Sequence, residues 1–151
     1  MQADRSGGLH YARAMEVFCL AYLTITVVAA GFSILLEAWL QPPPTADKVH
    51  SASYVLSERF YPLLNLIVWT AFSAFYFRRR AVAMRLALAL GGVWLAFAVV
   101  VDYVAFVAVE HPYSLNAHDF YVEQFPWIYL IYAAIVASPL LYAALRSRPM
   151  S

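Results

Sequence analysis

Long apolar runs separated by short polar intervals dominate the chain. Val17 to Leu36 carries no charge, and Glu37-Ala38-Trp39-Leu40 extends it. Phe60 to Phe77 is uncharged, Leu86 to Val109 is interrupted only by Asp102, and Gln124 to Leu145 is again uncharged. A helix needs roughly 20 residues to cross a hydrocarbon core of about 30 Å. The pattern therefore predicts four spans, over about 17–40, 60–77, 86–109 and 124–145. The runs are continuous rather than alternating in ten-residue segments, which argues for helices and against barrel strands. The expected fold class is all-α: one domain over 1–151, a polytopic integral membrane protein built as an antiparallel four-transmembrane-helix bundle. Outer loops are expected at 41–59 and 110–123, and a basic inner turn at 78–85.

The first run is too long for the roughly 7–15 residues of a signal-peptide core, and no A-x-A site follows it before Glu37. It reads as a retained span, with residues 5–16 as an interfacial lead-in. Pro42-Pro43-Pro44 makes a stiff, extended exit from it. Pro139 is expected to open or kink the fourth helix.

Composition agrees with the pattern. Of 151 residues, 64% are hydrophobic and 13% charged, where a soluble domain has about 45–50% and about 25%. A water-soluble fold of this length has too little interior to hide that surface. A net charge of +1 gives no basic field for nucleic acid. The single cysteine, Cys19, excludes a disulfide framework and any CxxC redox or zinc motif.

The basic residues set the expected orientation. With the N-terminus cytoplasmic, the inner side holds Arg5, Arg13, Arg78, Arg79, Arg80, Arg85, Arg146 and Arg148, and the outer side only Lys48 and Arg59. That is a positive-inside bias with both termini inside. Nine arginines, one lysine and abundant alanine are associated with GC-rich genomes, so a bacterial plasma membrane is the expected location. The outer side collects Asp47, His50, Glu58, Glu110, His111, His118, Asp119 and Glu123, together with an aromatic belt that includes Trp39, Tyr54, Tyr61 and Trp127.

Ionisable residues within spans are costly and default to functional hypotheses. Asp102 lies about 24 Å above Leu86, about 6 Å below the outer edge of the core. Its stripe reads Ala87, Gly91, Ala98, Asp102, Ala105, small residues that admit a neighbouring helix. It is therefore expected to face the bundle. Helix 1 offers a stripe of Thr26, Ala30, Ser33 and Glu37. Asn65 lies about 8 Å deep in helix 2 with Trp69 and Ser73 below it, and Tyr129 and Tyr132 lie at comparable depth in helix 4. These depths suggest an outward-opening polar pocket of Asp102, Glu37, Asn65, Trp69 and Tyr129, roofed by residues 110–123. The competing reading is a set of interhelical hydrogen bonds worth about 0.6 kcal/mol each.

Other chemistry finds less support. His111, His118, Asp119 and Glu123 are metal-ligand types, and Asp119 and Glu123 would share a helical face, but no HExxH or paired-Cys spacing accompanies them. No GxSxG and no local Ser–His or Cys–His pairing is present. No histidine lies within a span to hold haem, and no cofactor is implied.

Two short segments resemble known four-helix families. Glu58-Arg59-Phe60-Tyr61-Pro62-Leu63 looks like the acidic–proline entry of membrane glutathione-dependent eicosanoid enzymes, but the basic loop follows helix 2 rather than helix 1, and the Arg and Tyr signatures of that family are missing. Tyr132-Ala133 followed by Pro139 is similar to sterol-isomerase-like four-helix proteins, which carry acids in helix 2 where this chain has none within the span. Neither transfers a site.

The expected function is a binding module for a lipid or small hydrophobic ligand, or a subunit of a membrane assembly, in a homo-oligomer or with other membrane subunits. The alternatives are a membrane-embedded enzyme using Asp102 and Glu37 as acid and base, and a small transporter subunit. Polar groups in the outer third and the lack of an internal repeat count against transport.

Overall fold

The structure is a computed structural model that describes residues 8–41, 51–78, 82–110 and 114–147. The described residues are all helical or irregular, without strands. Four α-helices form it: α1 (Tyr11–Leu40), α2 (Ala52–Phe77), α3 (Met84–Asp102) and α4 (Trp127–Arg146). A π-helical segment, Tyr103–Ala108, continues α3 without a break, and a second, Asp119–Glu123, precedes α4. Each of the four is long and apolar enough to cross a membrane, the third when Tyr103–Ala108 is included.

The helix ends refine the expected spans. α1 begins at Tyr11, so residues 11–16 of the expected lead-in belong to the helix itself. It ends where Gln41 takes a left-handed conformation (φ 42°) and returns its N–H to the Glu37 carbonyl, closing the last turn. α2 starts eight residues before the predicted span. Ser51 caps it by accepting the Tyr54 N–H at 3.3 Å, so residues 52–59 of the expected outer loop are helix. Pro62 and Pro139 both sit inside helices that continue past them.

Packing follows small and aromatic residues. α2 shares its largest faces with α4 and α1, and α3 packs mainly on α4 and less on α1. Between α1 and α2, Ser33 and Tyr61 hydroxyls meet at 2.6 Å, the Phe32 and Phe60 rings lie 5.6 Å apart, and Arg13 Nη2 donates to the Phe75 carbonyl. Between α3 and α4, Gly91 allows close approach: a Cβ there would stand 2.9 Å from the Val136 carbonyl oxygen. α1 meets α3 through Trp94 Nε1 donating to the Ala14 carbonyl at 2.9 Å and through Phe18 and Phe97, 5.4 Å apart.

The core centres on Trp69 and Trp94, both fully buried, with ring centroids 5.2 Å apart and Phe18 5.5 Å from Trp69. Ser57, Ser73 and Ser138 are buried too, each donating to the carbonyl four residues earlier. Their small side chains let helices close while their hydroxyls stay satisfied. Leu20, Leu23, Val27, Leu63, Leu88 and Leu130 are exposed. Such a surface is a liability in water and an ordinary lipid-facing surface in a bilayer.

Candidate functional site

The face of α3 that carries Ala87, Gly91, Ala98 and Asp102 is buried. Small residues every turn bring α4 close, and they deliver Asp102, only 8% exposed, into the interior. Two tyrosines from different helices meet it there. The Tyr22 hydroxyl of α1 donates to Oδ1, and the Tyr132 hydroxyl of α4 donates to Oδ2 at 2.9 Å. One carboxylate thus ties three helices together, and both of its oxygens accept from an uncharged donor. Charge-assisted hydrogen bonds of this kind are the stronger class.

An aromatic wall continues from the carboxylate into the core. Phe18 packs 5.6 Å from Tyr22 and bridges it to Trp69 and Phe97. Trp69 Nε1 donates to Asn65 Oδ1 at 3.0 Å, and Asn65 Nδ2 donates to the Tyr61 carbonyl at 2.9 Å. The Asn65 side chain is therefore engaged within α2. Asn65 and Trp69 back the aromatic wall and do not reach the carboxylate themselves.

Glu37 is exposed near the C-terminal end of α1. Tyr22 is the α1 residue that reaches Asp102, and Glu37 lies 15 residues further along the same helix. At ~1.5 Å per residue that separation is about 22 Å, so the two acids are not brought together. The expected stripe of helix 1 turns outward as well: Thr26 and Ala30 are exposed, and Ser33 alone of the stripe finds a neighbour, in Tyr61. Thr24 and Thr26 satisfy their hydroxyls on the Leu20 and Tyr22 carbonyls of their own helix. The inward face is instead Ala14, Val17, Phe18, Ala21 and Ile25. On α4, Tyr129 is 48% exposed and packs on Phe125. Tyr132, about 60° around the helix from it, makes the contact with Asp102.

Tyr22 is the residue that depth counting missed. Counted from Val17 it sits only about 8 Å from the inner edge, far from the depth assigned to Asp102. α1 is a longer helix that begins earlier, and its register against α3 pairs Ala14 with Trp94 and Tyr22 with Asp102. The available signal was the spacing of Ala14, Ala21 and Phe18 around Tyr22, the one phenol on that face of the run.

Residues 114–123 pack over the end of α3. Leu115 N–H donates to the Phe106 carbonyl at 2.8 Å, and buried Phe120 stacks on Phe106 with centroids 5.8 Å apart. Tyr121 lies close enough to Tyr132 to interact with it electrostatically, so this segment adjoins the Asp102 network. On its outer surface His118, Asp119 and Glu123 bring one donor atom each to within 4.8 Å of one another. The π-helical turn places the three on one side, but they are solvent-facing and Asp119 is already held by Asn116 through bonds of 2.7 and 2.9 Å. His111 lies outside the described residues.

No protein-family model, curated protein or solved structure matches the chain. The fold and the site therefore carry the functional argument alone. They define an all-helical protein with four membrane-length apolar helices and a buried carboxylate shared among three of them.

Proposed function

We propose that the chain is a multi-pass membrane protein that binds a lipid or small hydrophobic ligand at the Asp102 centre, alone or as a subunit of a larger membrane assembly. The observation that carries this reading is the Tyr22–Asp102–Tyr132 arrangement. Interhelical locking is done elsewhere in this bundle by Ser138, which donates to the Leu66 carbonyl, and by Trp94, which donates to the Ala14 carbonyl. A carboxylate inside a span is a far more costly way to do it, and such groups mark ligand or ion sites. The neighbouring Tyr103–Ala108 segment adds support, since π-helical turns recur at functional sites.

The contact order supports an antiparallel bundle. Ser33 with Tyr61 and Arg13 with Phe75 run in opposite senses along α1 and α2, as do Asp102 with Tyr132 and Gly91 with Val136 along α3 and α4. The clustering of Arg78, Arg85 and Arg146 toward one end favours that end as the cytoplasmic side of a plasma membrane, with the 114–123 segment outside. Acid–base catalysis by Asp102 and Glu37 loses support from their separation.

Native mass spectrometry of the protein released from nanodiscs tests the proposal. A defined small number of apolar molecules should survive stripping of bulk lipid. Release of the bare chain under mild activation would refute it.

A further inference from the structure

A buried carboxylate needs its charge balanced by a cation, a metal or a proton. Among the described residues Asp102 has two hydroxyl partners, and neither brings a charge. The chain supplies no cation at this depth either: residues 17–40, 60–77, 86–109 and 124–145 contain no Lys, Arg or His. The two tyrosines use two of the roughly four lone-pair positions of a carboxylate, so acceptor capacity remains.

The surroundings suit a positive charge in a second way. Tyr22, which holds the acid, belongs to a cluster of rings, with Phe18 5.6 Å from Tyr22 and 5.4 Å from Phe97. Aromatic faces attract ammonium groups most strongly where water is excluded.

α1 and α3 share the smallest face among neighbouring helices. Beyond Ile25, α1 buries only Leu36, and the Tyr103–Ala108 segment buries no residue. Val27 and Val28 of α1 and Val104 of that segment are exposed. A molecule arriving from the lipid can keep an alkyl body against those residues and extend its head toward Asp102.

We infer that Asp102 is the counter-ion for an amphiphile with a protonated amine head, admitted laterally between α1 and the Tyr103–Ala108 segment. The ammonium hydrogens donate to the free lone pairs of the carboxylate, Tyr22 and Tyr132 hold both oxygens in place, and the neighbouring rings take up part of the charge. The inference rests on the reading of Asp102 as a binding centre and specifies what that centre selects.

Decylamine and decanol, equal in chain length and different in head charge, separate the possibilities. Each is titrated at pH 7 into phosphatidylcholine nanodiscs containing the protein, with empty nanodiscs correcting for partition, and occupancy is read by native mass spectrometry. The wild-type protein should reach half-occupancy with decylamine at a concentration at least tenfold below that for decanol. Asp102→Asn, which keeps the shape and an acceptor oxygen, should bring the two ligands to within about twofold. Equal binding of both by the wild-type protein overturns the selectivity for amines, whether or not the variant folds. A preference that survives in folded Asp102→Asn overturns the role of Asp102. Saturable binding of neither ligand refutes the binding-centre reading itself.

Discussion

Asp102 and the C-terminal end of α1 around Glu37 are both places where an acid enters a membrane-length apolar helix, and they are built in opposite ways. Around Asp102, small residues on α3 draw α4 in, and two phenols close on the carboxylate from separate helices. Around Glu37 the helix is exposed on most sides, and its last carbonyls are satisfied by its own backbone through Gln41. The difference is one of neighbours, not of residue type. An acid at a helix end can reach interfacial water and needs no partner. An acid six residues short of the end of its span must recruit partners from other helices, and every residue that brings those partners close becomes part of its site.

That comparison breaks most severely at Gly91. A Cβ there would lie 2.9 Å from the Val136 oxygen and 3.1 Å from its Cα, backbone atoms that move only with α4 itself. Gly91→Leu should cost about 1–3 kcal/mol, the usual penalty of overpacking, seen as a lower unfolding temperature in detergent. Gly92→Leu is the matched control, since nothing lies within 4 Å of the added atom. It should leave the transition in place.

The tyrosines give a smaller, more local effect. Tyr132→Phe and Tyr22→Phe each delete one donor to Asp102 and keep the ring. Each should cost about 0.6–1.7 kcal/mol, the range of hydrogen bonds between membrane helices. The losses should be non-additive in a double-mutant cycle that includes Asp102→Asn, because all three groups share one network. Strict additivity would show that the phenols and the acid do not act together. The smallest effect belongs to Glu37→Gln, where thermal stability should stay within about 0.5 kcal/mol of the wild-type protein, as for a surface position.

Much of the architecture could be read from the chain because apolar run length is set by bilayer thickness. The four helices and the inward direction of Asp102 follow from that and from the small-residue stripe of Ala87, Gly91 and Ala98. The partners of Asp102 were harder to read. Register between two membrane helices depends on where each begins, and α1 extends six residues before the first position of its uncharged run. Counting depth from Val17 therefore matched Glu37 to Asp102, when the structure pairs Tyr22 with it. Threonine misled in a related way. Thr26 made a polar stripe in the sequence, yet in a helix its hydroxyl turns back to the Tyr22 carbonyl and asks nothing of a neighbour. Tyr129 and Tyr132 differ by three positions, a rotation of about 60° on the helix, and only contact with α3 separates the exposed ring from the buried one.

The most direct measurement is the number of apolar molecules retained after bulk lipid is stripped, compared by native mass spectrometry among the wild-type protein, Glu37→Gln and Asp102→Asn. The wild-type protein and Glu37→Gln should keep the same defined complement, and Asp102→Asn, folded by its unfolding transition, should lose it. Equal retention by all three would contradict the assignment of ligand binding to Asp102 and leave the carboxylate as a structural tie between helices.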